Sequence, residues 1–254
     1  MPKPDAAAGP RFLQALGPLF LINLPQRHDR RRAFAAQLDR IGLGLGDPRV
    51  RVFAAIRPDE AGGFPGIGAR GCFLSHLEIL RQARTERLEH LVVCEDDLDF
   101  APDFAARAPQ LLDGLAATEW DILYAGHHGL PEDVAPDLPG GLVRLAPTRR
   151  VRTTHFLVFR HRAVAPLVAY LEAILARPGG HPDGGPMHVD GAFSRFRADH
   201  PDMVTLAALP PLGHQRASRT DIHALRWFDR LPVIRSAAGL ARGLGRWHGG
   251  GRTG

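Results

Sequence analysis

A chain of 254 residues, 44% of them hydrophobic, can bury one sizeable α/β core and is short for two complete domains. The formal charge of +5 is carried by arginine, since Lys3 is the only lysine, and it points to anionic partners such as phosphates or a membrane surface. Two cysteines, Cys72 and Cys94, exclude a disulfide framework and fit a reducing, cytoplasmic setting, and no apolar run approaches the ~20 residues that span a bilayer.

Residues 1–17 read as a flexible leader, with three prolines and an alanine run in the first ten. The stretch from Phe12 to Leu24 has the hydrophobicity of a signal core, but Gly17, Pro18 and Asn23 interrupt it and no small-residue cleavage site follows. Leu19 to Leu24, stopped by Pro25, predicts a buried first strand. Asp29 then caps a predicted helix with Phe34, Leu38 and Ile41 on one face and Gly42 as its stop. A strand at Val50 to Ala55, a Gly/Pro-rich loop from Pro58 to Gly68 and a helix from about Ala69 follow, the helix packing Phe73, Leu77 and Leu80.

Leu91 to Cys94 form an apolar run that leads directly into Glu95-Asp96-Asp97. A helix is predicted from Asp103 to Leu115, strands at Trp120 to Ala125 and Thr154 to Arg160, and a helix from Ala163 to Ala176 ended by Pro178-Gly179-Gly180. Alternation of this kind argues an α/β fold with a mostly parallel, twisted sheet flanked by helices, in which ligands bind outside the carboxyl ends of the strands. The domain division expected is 1–17 leader, 18–223 catalytic domain and 224–254 tail.

Strand alternation sets Glu95 and Asp97 on one face and Asp96 on the other. Adjacent carboxylates repel, and buried ones are costly without a compensating cation or donors. A hard divalent ion prefers oxygen ligands and keeps room for substrate phosphates, so the cluster suits chemistry with a diphosphate leaving group. A solvated acidic turn after a strand is the other reading of the same three residues.

The segment Gly71-Cys72-Phe73-Leu74-Ser75-His76, followed about twenty residues later by an apolar strand and Glu95-Asp96-Asp97, resembles the signature of glycosyltransferase family 25, the lipooligosaccharide biosynthesis galactosyltransferases. Asn23-Leu24, Arg27 and Arg30-Arg31 resemble that family's opening, and Trp120 to Tyr124 with Gly126, Thr154-His155 and Met187 to Asp190 continue the likeness over roughly residues 18–222. The resemblance implies an A-type (Rossmann-like) glycosyltransferase fold, a UDP-sugar donor, commonly UDP-galactose, and manganese or magnesium use. It also implies inverting transfer to a saccharide or glycolipid acceptor. By that likeness Asp97, with Glu95 or Asp96 beside it, holds the metal on the diphosphate. Cys94 departs from the family's more usual aliphatic residue, and nothing after Asp221 matches.

Arg27 and Arg30 occupy family-like positions where a first strand hands over to a helix, and are expected on the donor's diphosphate. An ordinary solvated helix face is the plain alternative. Ser75 and His76 are adjacent on a helix, so they point about 100° apart and do not form a nucleophile and base. The family likeness makes them shapers of the nucleotide pocket or braces of the acidic loop. Asp190 is the expected general base, with a helix cap as its plain alternative. His214 is preferred over His127, His128 and His188 as a late metal ligand, while Asp96, Gln215, Ser218 and Asp221 are expected to line the donor pocket.

The tail combines Trp227 and Phe228 with several arginines and suits peripheral contact with an anionic membrane surface, or partial packing on the domain. A metal-dependent phosphohydrolase built on Glu95, Asp96, Asp97, His127 and His128 is the rival enzyme. A nucleic-acid-binding protein lacks any recognised motif and is not expected, and an inactive family relative stays open.

Overall fold

A helix, not a loose leader, opens the described part of the chain: Ala8–Leu16 (α1) buries Phe12, Leu13 and Leu16. The computed structural model describes residues 7–128, 130 and 134–216. In chain order α1 is followed by Leu19–Asn23 (β1), His28–Arg40 (α2), Val50–Ala54 (β2), Ile67–Glu86 (α3), His90–Glu95 (β3) and Leu98–Phe100 (β4). Then come Phe104–Ala116 (α4), Ile122–His128 (β5), Leu142–Arg144 (β6), Arg152–Arg160 (β7), His161–Ala176 (α5), Val189–Asp199 (α6), Thr205–Ala208 (β8) and Gly213–Gln215 (β9).

Seven strands form one sheet in the order β2-β1-β3-β7-β5-β8-β6. β2, β1, β3, β5 and β8 run one way, whereas β7 is antiparallel to both of its neighbours and β6 is antiparallel to β8. The sheet is therefore mixed, with its parallel majority interrupted by β7. β4 and β9 make a separate two-stranded ribbon.

Alternation along the strands supplies two cores. Phe20, Ile22, Leu91 and Val93 pack with residues of α3, α5 and α6 on one face. Leu19, Leu21, Val92 and Cys94 pack with α1, α2 and α4 on the other. Burial on both faces explains why the central strands read as continuous apolar runs.

The expected leader over 1–17 is thus corrected from Ala8 onward. Helical spacing of Phe12, Leu13 and Leu16 places them on one face, and Phe12 meets the rings of Phe104 and Phe156 at centroid distances of 5.4 and 6.0 Å. Gly17 turns the chain from α1 into β1 at φ +80°, where an added Cβ would stand 2.2 Å from the His90 carbonyl oxygen. Only glycine fits that approach. Residues 217–223 and the 224–254 tail lie outside the described residues, so the membrane-surface reading of the tail is not addressed by the fold. Among the described residues no helix is long and apolar enough to cross a membrane.

Phe12→Ala should lower stability by about 3 to 5 kcal/mol, the usual cost of emptying a buried phenylalanine site. Denaturant unfolding of the full chain measures it, and an unchanged midpoint would restore the flexible-leader reading.

Candidate active site at the carboxyl end of β3

β2 and β3 flank β1 on opposite sides, so the connections leave β1 in different directions and open a crevice beyond its carboxyl end. Asn23 ends β1 and Glu95 ends β3 at that crevice. Because β7 runs antiparallel between β3 and β5, its amino-terminal residues arrive at the same edge of the sheet.

Strand alternation stops at Glu95, and Asp96-Asp97 form a turn into β4. The turn changes the expected grouping of the acids. Asp96 is buried and fully engaged: Asn23 Nδ2 donates to its Oδ2 at 2.8 Å and Arg30 donates to its Oδ1 at 2.9 Å. Burial raises its pKa, against the opposing pull of Asn23 and Arg30. Asp97 lies 3.7 Å from the same guanidinium, so Arg30 serves both aspartates.

Asp97 accepts a hydrogen bond from Gln215 Nε2 at 3.2 Å on Oδ2, and its carbonyl accepts the Arg216 N–H at 2.7 Å. Its Oδ1 is buried with no hydrogen-bond partner among the described residues. Burial and then the Glu95 charge push the Asp97 carboxyl up to about 6, with Arg30 and Gln215 acting the other way. An oxygen in that position is under-compensated.

Glu95 draws its partners from the opposite side. Thr154 Oγ1 donates to Glu95 Oε1 at 2.7 Å, His76 Nε2 stands 3.4 Å from that oxygen, and Cys72 Sγ stands 4.0 Å from it. Burial works to raise Glu95, but hydrogen bonding and charge from His76, then Thr154 and His155, outweigh it and hold the carboxyl below its ordinary value. Burial first, then the charges of Glu95, Asp190 and Asp97, drives the Cys72 thiol well up. The three acids therefore converge electrostatically around Cys72.

The Gly71 to His76 segment divides into two i, i+4 pairs on α3. Gly71 and Ser75 form the bracing pair: an added Cβ at Gly71 would lie 2.4 Å from the Ile56 carbonyl oxygen, and Ser75 Oγ accepts from Ile56 N at 2.9 Å while donating to the Gly71 carbonyl at 2.7 Å. Cys72 and His76 form the pair that faces Glu95. Ser75 is fully buried and its hydroxyl is spent on backbone, so of the pocket-shaping and bracing roles expected of it the contacts seen are those of a brace, on the loop after β2.

Thr153, Thr154 and His155 stitch the far wall together. Thr153 has φ 69°, an outlying backbone for a β-branched residue, and its N–H donates to Asp190 Oδ2 at 3.3 Å. Thr153 Oγ1 lies 2.9 Å from His155 Nδ1, while the other ring nitrogen of His155 lies 3.3 Å from the Gly213 carbonyl. Gly126 leaves room for that ring, since a Cβ there would fall 2.4 Å from His155 Nε2. Asp190 sits in the first turn of α6, after the N-cap His188, and its Oδ1 accepts the Gly191 N–H at 2.7 Å. It is only partly buried, and Thr153 links it to the residue that holds Glu95.

Other expected site residues fall differently. His214 is exposed on β9, opposite Asp99, and is not among the ligand atoms drawn together at Glu95. Its neighbour Gln215 is the β9 residue that reaches Asp97, because adjacent strand residues point to opposite sides. Arg27 precedes α2 and binds Asp29 through two hydrogen bonds of 2.9 and 2.8 Å. Asp29, expected as the cap, lies in the helix's first turn instead. His127 is buried with Nε2 3.0 Å from the Ala208 carbonyl, and His128 is exposed. Ser218 and Asp221 lie outside the described residues.

Asn23, Cys72, Thr154 and His155 are the contributors that chemical reasoning on the sequence did not single out. An asparagine, threonine or histidine embedded in an apolar strand was the available signal. Two cavities of about 450 and 350 Å³ lie elsewhere, around His90, Trp120 and Arg160 at the amino end of β3 and the carboxyl end of β7. They share no residue with the acidic crevice.

Fold and site together define an α/β protein with a carboxylate centre at the end of a buried strand. The chain is 30% identical over 141 residues to a glycosyltransferase 25 family member of Aedes aegypti, a match covering 49% of this chain and 23% of that protein. It is 31% identical over 140 residues to procollagen galactosyltransferase 1-A of Xenopus laevis, covering 46% and 23%. Over 136 residues it is 30% identical to the probable inactive glycosyltransferase 25 family member 3 of Bos taurus, covering 46% and 23%. Over about half of its length the chain is thus similar to proteins named as glycosyltransferase 25 family members. The chain spans about a quarter of the length of those relatives, and no family model matches it.

His155 supplies a pH test of the packed wall. Burial foremost lowers its pKa to about 4, from an ordinary value of 6.5. The unfolded chain thus takes up the proton first as pH falls, so stability is full above about 6.5 and is lost progressively down to about 4, by on the order of 3 kcal/mol. The denaturation midpoint of His155→Gln should depend less on pH across that window than that of the unaltered chain.

Proposed function

We propose that this chain is a metal-dependent, inverting glycosyltransferase of the A-type fold. It moves a sugar, galactose by kinship, from a UDP-sugar to a saccharide or glycolipid acceptor in lipooligosaccharide or other surface-glycan synthesis. The observation that carries the reading is the buried Oδ1 of Asp97, without a hydrogen-bond partner among the described residues, beside Glu95 at the crevice end of β3, in a chain similar to a named galactosyltransferase. The tail's membrane contact and a cytoplasmic setting belong to the same proposal.

The residues fit a hard divalent ion, manganese or magnesium. Asp97 and Glu95 offer carboxylate oxygens whose mutual repulsion a cation relieves, and the Asp97 oxygen has no competing donor among the described residues. Asp96 is better suited to hold Arg30 and Asn23 than to reach a ligand, since both of its oxygens are engaged. When bound, the ion supplies Lewis-acid neutralisation of the departing diphosphate.

The chain's own groups do the rest. Arg30, held between the two aspartates, adds positive charge at the crevice end of β1, and Gln215 orients Asp97. Arg27 stands at the amino end of α2, where the helix terminus favours a phosphate. Thr154 fixes Glu95, and Thr153 aims Asp190. Asp190 takes the proton of the acceptor hydroxyl as that oxygen attacks the anomeric carbon and the bond to the diphosphate oxygen breaks. One displacement of this kind inverts the anomeric centre. The phosphohydrolase alternative loses support because His127 is turned onto the Ala208 carbonyl instead of joining the acids.

UDP with manganese should raise the thermal midpoint of the full chain, and Asp97→Asn should remove the manganese-dependent part of the rise. Asp190→Asn should keep donor binding and lower transfer by about 100-fold or more. A chain that ignores UDP and manganese, or an Asp190→Asn variant with near-normal turnover, would overturn the reading. Slow UDP release from the UDP-sugar without acceptor separates a transferase from a hydrolase, and binding without turnover would identify an inactive relative.

A further inference from the structure

Cys72, His76 and Glu95 are the one group among the described residues whose metal-ligating atoms all lie within 4.8 Å of one another. Their spacing comes from rigid elements: Cys72 and His76 are one turn apart on α3, and Glu95 closes β3. Glu95 Oε1 is 3.4 Å from His76 Nε2 and 4.0 Å from Cys72 Sγ. Tetrahedral zinc, with bonds of about 2.0 to 2.3 Å, sets its ligand atoms roughly 3.3 to 3.8 Å apart. The two separations to Glu95 are thus within a few tenths of an ångström of that shape, and the third is no longer than 4.8 Å.

We propose that Cys72, His76 and Glu95 bind a thiophilic divalent cation of the zinc class, at a site that shares Glu95 with the hard-ion position at Asp97 but adds sulfur and nitrogen donors. The donor set separates the two. Thiolate and imidazole select softer borderline ions, whereas manganese and magnesium prefer oxygen. Thr154, donating to Glu95 Oε1 at 2.7 Å, is the neighbour that orients the carboxylate.

A second observation points the same way. His76 is 1% exposed, and its Nδ1 is buried without a hydrogen-bond partner among the described residues. Cys72 is only partly buried, so an ion reaches the trio from the crevice and a water completes its coordination. The two readings share Glu95, but this one is tested apart from the transferase reading, because it requires neither a nucleotide nor turnover.

Cobalt(II) is the probe, since its bond to a thiolate gives a charge-transfer band in the near ultraviolet. Titrating the full chain with cobalt should produce that band at one equivalent, and zinc should bleach it. Cys94→Ala, which alters the buried cysteine of β3, should keep the band. Cys72→Ser should abolish it, and Glu95→Gln should weaken zinc binding at least tenfold, with melting curves confirming that each variant is folded. Should Cys72→Ser fold poorly, the unaltered chain still decides: zinc should protect Cys72 from alkylation, located by peptide mass spectrometry. Absence of the band, its persistence in Cys72→Ser, or alkylation of Cys72 undiminished by zinc would overturn the proposal.

Discussion

Three consecutive carboxylates at the end of a strand buried on both faces must be compensated from different directions, and the arrangement of the site follows from that constraint. Asp96 takes the Asn23 amide and the Arg30 guanidinium, both from the β1 to α2 segment. Glu95 takes Thr154 from β7 and His76 from α3. Asp97 is left with a shared arginine and one amide hydrogen bond, and it is the acid whose pKa is raised to about 6. Compensation is unequal, and the shortfall falls on Asp97.

The reversed strand β7 makes this division possible. Were β7 parallel to β3, its amino-terminal residues would lie at the other end of the sheet, and Thr153, Thr154 and His155 would be remote from Glu95. Antiparallel pairing of Cys94 with Phe156 brings them level with the acids. The left-handed backbone at Thr153 costs on the order of 1 to 3 kcal/mol, offset by its contacts with Asp190 and His155. Strain of this size, persisting beside buried carboxylates, marks the segment as one whose geometry is held by its surroundings.

Much of this was legible from residue pattern, and the limits have physical causes. Strands buried on both faces read as apolar runs, so β1, β3 and β7 were found within a residue or two. α1 was missed because its alanine, glycine and proline content resembles a leader; its helical character lies in the spacing of Phe12, Leu13 and Leu16, and their burial depends on α4 and β7. The ribbon of β4 and β9 was invisible because its three-residue strands pair across more than a hundred positions. That long-range pairing is also what sets Gln215 against Asp97. Asp190 lies level with the acids only through Thr153, a backbone contact that no side-chain pattern announces.

The Gly71 to His76 segment shows how one short motif can carry both fold and chemistry. Gly71 and Ser75 bring α3 against the Ile56 backbone, which fixes the helix's depth and rotation. Once that face is fixed, the pair one residue further along, Cys72 and His76, is turned onto Glu95 by helical geometry alone. A substitution at Gly71 or Ser75 therefore acts on Glu95 without touching it, by rotating or displacing the helix that supplies its partners. Four positions of the motif, Gly71, Cys72, Ser75 and His76, are constrained together because the brace and the acid-facing pair share one helix, and neither pair is correctly placed without the other.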